Sequence, residues 1–312
     1  MQVKENILLL GGTGFIGKNI IEYFISHTDS LNYQLIVLSR YNQISEHKDV
    51  VYELGDYGDK EVLKKLFSRW DFKKVFHLAS SSIPVSSNQN IHNDINGNLI
   101  STIGLLEVMK EYRCNFILYL SSGGAVYGEK RVPVISEDTS CTPISSYGII
   151  KLAIENYLKL YQRHYGINYL ILRISNPFGP YHNSEEQGVI NVAVRRAVNG
   201  KSLEVWGDGS QSKDYIFIYD LVKIVFQFIR NEIVNKVVNV GSGETHQLNS
   251  ILDRIKVYIP NFEIKYVESK PTDIKDFCLD ISLLKSLIDF EFTDFDLAIE
   301  KTIEWEEQKI TI

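Results

Sequence analysis

Two short stretches carry residues whose types and spacing can do chemistry. In the first, Gly11, Gly12, Thr13, Gly14, Phe15, Ile16 and Gly17 satisfy G-x-G-x-x-G through Gly12, Gly14 and Gly17, directly after the apolar run Asn6–Leu10. Glycine there permits a tight turn, lets backbone N–H groups approach a pyrophosphate, and lets the next helix pack close to a sheet. The start of that helix adds partial positive charge. An isolated match is as readily a ligand-free turn, but a strand before it and a helix after it favour dinucleotide binding.

The second stretch sets Tyr147 four residues before Lys151, so on a helix a phenol and an ammonium project from one face. The same spacing recurs at Tyr219/Lys223 and Tyr266/Lys270, and context has to choose among them. Only Tyr147 follows a serine and glycine block, Ser121, Ser122, Gly123 and Gly124 running on to Gly128, at the end of an apolar run. Strand ends of this kind line the ligand crevice of open α/β sheets. A free tyrosine has a pKa of about 10, and bringing it near 7 needs about 4 kcal/mol of differential stabilisation. Lys151 and a bound, positively charged nicotinamide are the groups expected to supply it. The plain alternative is a surface contact contributing tenths of a kcal/mol.

The elements that must position these residues follow from periodicity. Apolar runs at Asn6–Leu10, Gln34–Leu38, Val50–Glu53, Val75–Ala79, Asn115–Leu120, Tyr169–Arg173 and Val237–Val240 predict strands, and most are apolar throughout, as strands buried on both faces are. Helical spacing predicts helices at Gly14–Ser26, Asp59–Arg69, Gly97–Tyr112, Tyr147–Tyr165, Gly188–Asn199 and Asp220–Asn231. The alternation gives a doubly wound α/β fold with a parallel sheet. Composition changes after Arg173, which predicts a first domain over 1–175 and a smaller one over 176–312, with the strand near 237–240 able to return to the first sheet.

Composition bounds the class. The 312 residues carry 33 basic and 39 acidic side chains, a net charge of −6, which excludes a generic basic nucleic-acid binder. A hydrophobic share of 44% with 23% charged residues fits a globular chain. Cys114, Cys141 and Cys278 lie far apart without a C-x-x-C pair, so a reducing, cytoplasmic setting is expected. The uncharged run Asn6–Gly17 holds four glycines and is expected to be mature structure, and no stretch approaches the ~18 apolar residues of a spanning helix, so no membrane partner is expected. No clustered metal spacing exists among the seven histidines; no catalytic metal is expected, and His77 is expected to be a satisfied core residue.

The coenzyme's identity stays open. An acidic residue for a ribose 2′-hydroxyl should end the second strand, where Ser39 and Arg40 stand instead. Arg40 either pairs with a 2′-phosphate, favouring NADP over NAD, or is a solvated or adenine-stacking cation. Asp56, beside Tyr57, either meets the adenine amino group or caps the next helix.

With these residues in hand, the sequence resembles the extended short-chain dehydrogenase/reductase family, in particular the UDP-galactose 4-epimerase-like members of the NAD-dependent epimerase/dehydratase group. The resemblance runs through Gly11–Gly17, Gly55-Asp56, His77-Leu78-Ala79, Asn96-Gly97, Ser121–Gly128, Tyr147/Lys151, Arg173–Pro180, Gly207–Gly209, Lys213–Leu221 and Asn239–Gly243. It implies a Rossmann domain with a smaller C-terminal substrate domain. It implies Tyr147 as base, taking a sugar hydroxyl proton while hydride leaves the same carbon for the nicotinamide, and Lys151 as the holder of the nicotinamide ribose. The glycine loop, Ser39, Arg40, Asp56, Tyr57, Leu78, Ala79, Ser80, Ser121, Tyr147 and Lys151 would bind NAD or NADP. Ser122, Gly123, Gly124, Asn176, Gln187, Lys213 and Lys270 would meet the substrate, with Asn191 near its nucleotide end.

Three departures stand out. Gly123 occupies the place where relatives carry a catalytic serine or threonine, and Ser122 beside it either takes that role or only bonds at the strand end. Lys213 and Lys270 stand where the family has diphosphate-binding arginines, so point charges replace bidentate forks. Ser39 is the third. Trp206 either borders the base or, more commonly for tryptophan, is buried in the small domain. Asn96 either braces the site through main-chain bonds or caps a helix. The expected function is a nucleotide-sugar 4-epimerase for UDP-hexose or its N-acetylated form. The alternative is an NADPH-dependent reductase of a nucleotide-linked 4-keto sugar, ahead of a dehydrating or decarboxylating relative and a catalytically silent dinucleotide-binding protein. A homodimer joined through helices 97–112 and 147–165 is also implied.

Overall fold

The computed structural model describes residues 4–27, 33–45, 47–81, 87–130, 134–185, 187–268 and 276–311. They divide into two compact units, one of 1–129, 140–173 and 229–238, the other of 130–139, 174–228 and 239–312.

The first unit is built on a seven-stranded sheet. Its strands are β1 (Glu5–Leu10), β2 (Tyr33–Ser39), β3 (Val50–Leu54), β4 (Phe72–His77), β5 (Phe116–Ser122) and β6 (Asn168–Ile174), joined by Lys236–Val240 at one edge. Across the sheet the order is Lys236–Val240, β6, β5, β4, β1, β2, β3. The pairs from β5 to β3 are parallel, with Leu8 facing Ile36 on one side and Val75 on the other. Strand order reverses between β1 and β4, and the crevice beyond the carboxyl ends there is where open α/β sheets bind ligands.

Ile7, Leu8 and Leu9 are fully buried because helices cover both sheet faces, which explains why these strands are apolar without alternation. On one face α2 (Lys60–Arg69), α3 (Ser101–Glu111) and α4 (Ser146–Tyr165) place Leu63, Phe67, Leu105, Ile150 and Ile154 in one core with Leu8, Ile36 and Ile117. Asp59 caps α2 by accepting the Glu61 and Val62 N–H groups, and Ser145 caps α4 by accepting that of Gly148. Helix α4 stops at Gly166, whose φ of 70° favours glycine.

Two predicted elements shift. The helix expected over 97–112 begins as Ile91–Asp94 and passes through a π-helical stretch, Ile95–Ile100, before α3. Side chains wire this widened turn: Asn98 Nδ2 donates to Asp94 O at 3.1 Å and Ser101 Oγ to Asn96 O at 2.9 Å. The strand expected over 75–79 ends at His77 because Ala79 crosses the glycine loop, where a Cβ on Gly11 would lie 2.8 Å from Ala79 N.

In the second unit Ser212–Phe217 pairs antiparallel with Thr245–Gln247 and parallel with Asn176–Phe178 and Asp276–Phe277. Leu203–Trp206 pairs in parallel with Ile264–Val267. Helices include Val189–Val198, Leu248–Tyr258 and Phe295–Thr311. Among the described residues no helix is long and apolar enough to cross a membrane.

Candidate active site

The glycine loop divides its labour. Gly11 has φ of 83°, a Cβ on Gly12 would meet Val37 at 2.5 Å, and one on Gly17 would collide with the Gly11 carbonyl oxygen. These three glycines let strand, loop and helix approach. Gly14 is different: a Cβ there would meet only Gly11 O, at 3.4 Å. It is the N-cap of α1 (Phe15–Ser26), with no side-chain cap and no acidic residue in the first turn, so the positive end of the helix is left for an external anion.

A cleft of about 960 Å³ opens beside this loop, lined by Gly11, Thr13, Gly14, Ser39, Arg40, Asp56, Tyr57, Leu78, Ala79 and Ser80, among others. Gly12, Phe15, Ile16 and Gly17 form the turn and helix start without lining it. Ser39 bonds locally, donating to Tyr41 O at 2.9 Å and accepting from Tyr41 N at 3.2 Å. Asp56 accepts the Gly58 N–H at 2.8 Å, and Asp59 instead of Asp56 caps the helix that follows. Tyr57 OH donates to Gly97 O at 2.7 Å; burial, then the Asp56 charge, holds its pKa above the ordinary value against Arg40. Asn96 lines the cleft and accepts the Ser101 hydroxyl through its main chain. The small-residue wall, uncapped helix start and flanking Arg40 fit a dinucleotide.

A second cluster lies on α4, at the carboxyl end of β5. Lys151 Nζ donates to Leu120 O at 2.7 Å and sits 4.7 Å from the Tyr119 ring centroid and 5.5 Å from that of Tyr147. Burial pushes Lys151 down to about 8, against the charges of Glu155 and Asp94. Burial and then the Asp94 charge push Tyr147 up to about 12, while a hydrogen bond with Ser122 pulls it down. The fall towards neutrality expected of Tyr147 is therefore not made by these protein groups alone.

The two serines separate. Ser122, the group that lowers the proton affinity of Tyr147, caps the short helix Gly123–Tyr127 by accepting Ala125 N at 3.3 Å. Ser121 is locked to Glu155 Oε1 at 2.6 Å. Gly123, buried, and Gly124, half-buried, open that short helix and bring no side chain to the phenol. Thr102 spends its hydroxyl proton on Asn98 O at 2.6 Å, so His77 Nε2 must donate to Thr102, at 2.8 Å. Burial, then Lys151, pushes His77 down to about 3, which keeps it a neutral core residue.

In the second unit a cleft of about 550 Å³ is lined by Asn176, Gln187, Arg196, Trp206 and Lys213, among others. Asn176 is held there by donating to Asp214 O at 2.8 Å. Trp206 is 43% exposed, which overturns the expectation of a buried tryptophan. Asn191 does not line the cleft but is buried, bracketing the Gly179 N–H and carbonyl. Lys270 lies outside the described residues.

Asp94, Asn98 and Glu155 escaped sequence reasoning. Glu155 had a signal: it falls one turn after Lys151 among the buried positions Ile150, Ile154 and Leu158. Asp94 and Asn98 had none, because their pairing depends on the π-helical turn.

Residues 7–241 match the model of the NAD dependent epimerase/dehydratase family. A putative UDP-glucose 4-epimerase of Methanocaldococcus jannaschii is 32% identical over 305 residues, covering 96% of this chain and 97% of that protein. A dTDP-4-dehydro-6-deoxyglucose reductase of Escherichia coli is 32% identical over 267 residues, 81% of each chain. The structure of a UDP-glucose 4-epimerase of Thermotoga maritima with UDP-glucose matches with a TM-score of 0.89 at 28% identity, over 98% of this chain and 99% of that one. A match spanning both the glycine loop and the tyrosine-bearing helix makes this chain an enzyme of the NAD dependent epimerase/dehydratase family.

Proposed function

We propose that the protein is a nucleotide-sugar 4-epimerase acting on a UDP-hexose or UDP-N-acetylhexosamine, with NAD as coenzyme. The observation that carries the reading is the buried pair on one helix: Lys151 is fixed against Leu120 O and its ammonium lies 5.5 Å from the Tyr147 ring centroid, with Ser122 at the end of β5 lowering the proton affinity of the phenol. A phenol, a hydroxyl and an ammonium so held can accept a proton from a sugar hydroxyl and return it. The names of the relatives from M. jannaschii and T. maritima support the sugar nucleotide class.

Tyr147 takes the proton of the sugar 4-hydroxyl and later gives it back, while Ser122 steadies the oxygen between them. When bound, the nicotinamide supplies a reversible two-electron acceptor and, oxidised, a positive charge that favours the Tyr147 phenolate. Lys151 contributes a fixed cation beside the phenol. Gly11–Gly17 amides at the start of α1 hold the coenzyme pyrophosphate, with Arg40, Asp56 and Tyr57 at its adenosine end. In the second unit Lys213, Asn176 and Gln187 receive the substrate nucleotide and diphosphate, and Lys270 adds a further cation.

A second reading, an NADPH-dependent reductase of a nucleotide-linked 4-keto sugar, is favoured by Arg40 in the cleft wall with Ser39 where an acidic residue would select NAD. One experiment separates the two: release and identify the coenzyme from denatured protein, and incubate native enzyme with UDP-glucose and UDP-N-acetylglucosamine. Retained NAD with isomer formation is expected. Consumption of NADPH with a 4-keto sugar, and no isomer from either substrate, would replace the first reading by the second.

The same reading includes a homodimer in the cytoplasm. Support comes from Ile100, Ile149 and Leu160, exposed on helices that pack together, and from the lack of disulfides among the described residues. A monomeric mass by light scattering at micromolar concentration would remove the dimer.

A further inference from the structure

Asp94 closes the turn Ile91–Asp94 and is 3% exposed. Its Oδ2 accepts the Ser146 hydroxyl at 2.8 Å, and its Oδ1 accepts the Asn98 amide at 2.7 Å. Ser146 immediately precedes Tyr147 on α4. Asn98 in turn accepts the Ser81 N–H at 2.8 Å, and Ser81 lines the dinucleotide cleft with Ala79 and Ser80. One carboxylate thus ties the start of the helix bearing the phenol to the loop bordering the coenzyme. Asp94 also lines a small cavity with Tyr147, Lys151, Tyr119 and His77.

We propose that Asp94 is a positioning residue for the Tyr147–Lys151 pair: through Ser146 it fixes the first turn of α4, and it sets a carboxylate in the cavity that both groups line. The inference rests on reading Tyr147 as the proton carrier. Among the described residues, the groups facing Tyr147 are Ser122 and Tyr119 from β5, Lys151 from the next turn of α4, and Asp94 from the turn Ile91–Asp94. His77 from β4 shares the cavity but is neutral. Asp94 is the anion among them. The other nearby carboxylate, Glu155, is paired with Arg173 and bonded by Ser121; it is the larger charge acting on Lys151, and Asp94 is the carboxylate that acts on both Lys151 and Tyr147. The Asp94 charge raises the proton affinity of both Tyr147 and Lys151.

Asparagine at this position keeps an oxygen for Ser146 and removes the charge. Lysine labelled with carbon-13 at the carbon next to the ammonium reports its titration by NMR in coenzyme-free protein, with Lys151→Met identifying the signal. The Asp94→Asn variant should titrate Lys151 lower than wild type by about one unit, and Asp94→Glu should restore it. In turnover, the acid limb of the kcat profile should move to lower pH in Asp94→Asn by a similar amount, because Tyr147 loses its proton more readily. Asp94→Ser, smaller and uncharged, provides the same NMR test should Asp94→Asn not fold. A Lys151 titration unchanged in a folded, uncharged variant overturns the proposal. Absence of turnover in wild type with every sugar nucleotide would instead overturn the assigned reaction and leave the NMR result standing.

Discussion

Arg173 holds both carboxylate oxygens of Glu155, with Nε at 3.1 and 3.2 Å and Nη2 at 2.7 Å. The two side chains are 5% and 0% exposed. A further nitrogen of Arg173 donates to Tyr127 OH at 2.9 Å, and Ser121 donates to Glu155. Strands β5 and β6 are therefore bonded to α4 one turn beyond Lys151. Burial opposes the charge of Arg173, but the hydrogen bonds and charge of Glu155 more than offset it and hold its pKa above the ordinary value.

Glu155→Gln should destabilise the protein strongly. It leaves a buried guanidinium without its counter-charge, and breaking such a pair from one side costs about 3–5 kcal/mol. Urea unfolding measures this. A loss under about 1 kcal/mol would mean that water reaches Arg173 and the pair is screened as a surface pair is.

Lys151 should make stability depend on pH in the alkaline range. Its pKa falls from 10.5 to about 8 on burial, so between those values the unfolded chain binds more protons than the folded one. Stability from this group therefore rises as pH goes from 8 towards 10.5, and the burial penalty is present in full below 8. The unfolding free energy of wild type relative to Lys151→Met should increase across that window by up to about 3 kcal/mol. Equal pH dependence of the two proteins would show that the ammonium is not desolvated.

The fold was legible where one physical signal dominated. Ile7–Leu10 of β1 and Leu35–Leu38 of β2 are apolar without alternation because both faces are covered, and the glycine loop between β1 and α1 has one geometric purpose. The second unit gave weaker signals: Ser212–Phe217 mixes polar and apolar residues, and Asp276–Phe277 is only two residues long. No strand was expected between Arg173 and Val237, and nothing after Val240. In the site, the spacing of Tyr147 and Lys151 was readable because a helix imposes it. The placement of Asp94 was not, since it follows from a widened turn that Asn98 and Ser101 stabilise by bonds absent from any simple period.

Gly17→Ala and Gly14→Ala should fail in different ways. A Cβ at Gly17 would run into the Gly11 carbonyl and Gly12, backbone that must shift, so the melting temperature should fall by several degrees. A Cβ at Gly14 has room within the protein but stands where the cleft meets the helix start. Its melting temperature should stay close to wild type while coenzyme binding weakens about tenfold or more. Calorimetry with and without NAD separates the two. Unaltered NAD affinity in Gly14→Ala would remove the pyrophosphate from the glycine loop.

Tyr147→Phe and Ser122→Ala should grade the proton transfer. Removing the phenol oxygen deletes the proton carrier, and kcat should fall by about 10²–10⁴ with coenzyme binding retained. Removing the Ser122 hydroxyl leaves the carrier but takes away the hydrogen bond that holds its pKa down. Tyr147 then keeps its proton to higher pH, so the acid limb of the kcat profile should move upward, opposite to the shift in Asp94→Asn. Ser122→Ala also removes the cap at Ala125 N, which on its own costs about 1 kcal/mol of stability and no change in a limb. A lower melting temperature with the wild-type pH profile would therefore confine Ser122 to the end of β5, and the proton would have to pass without it.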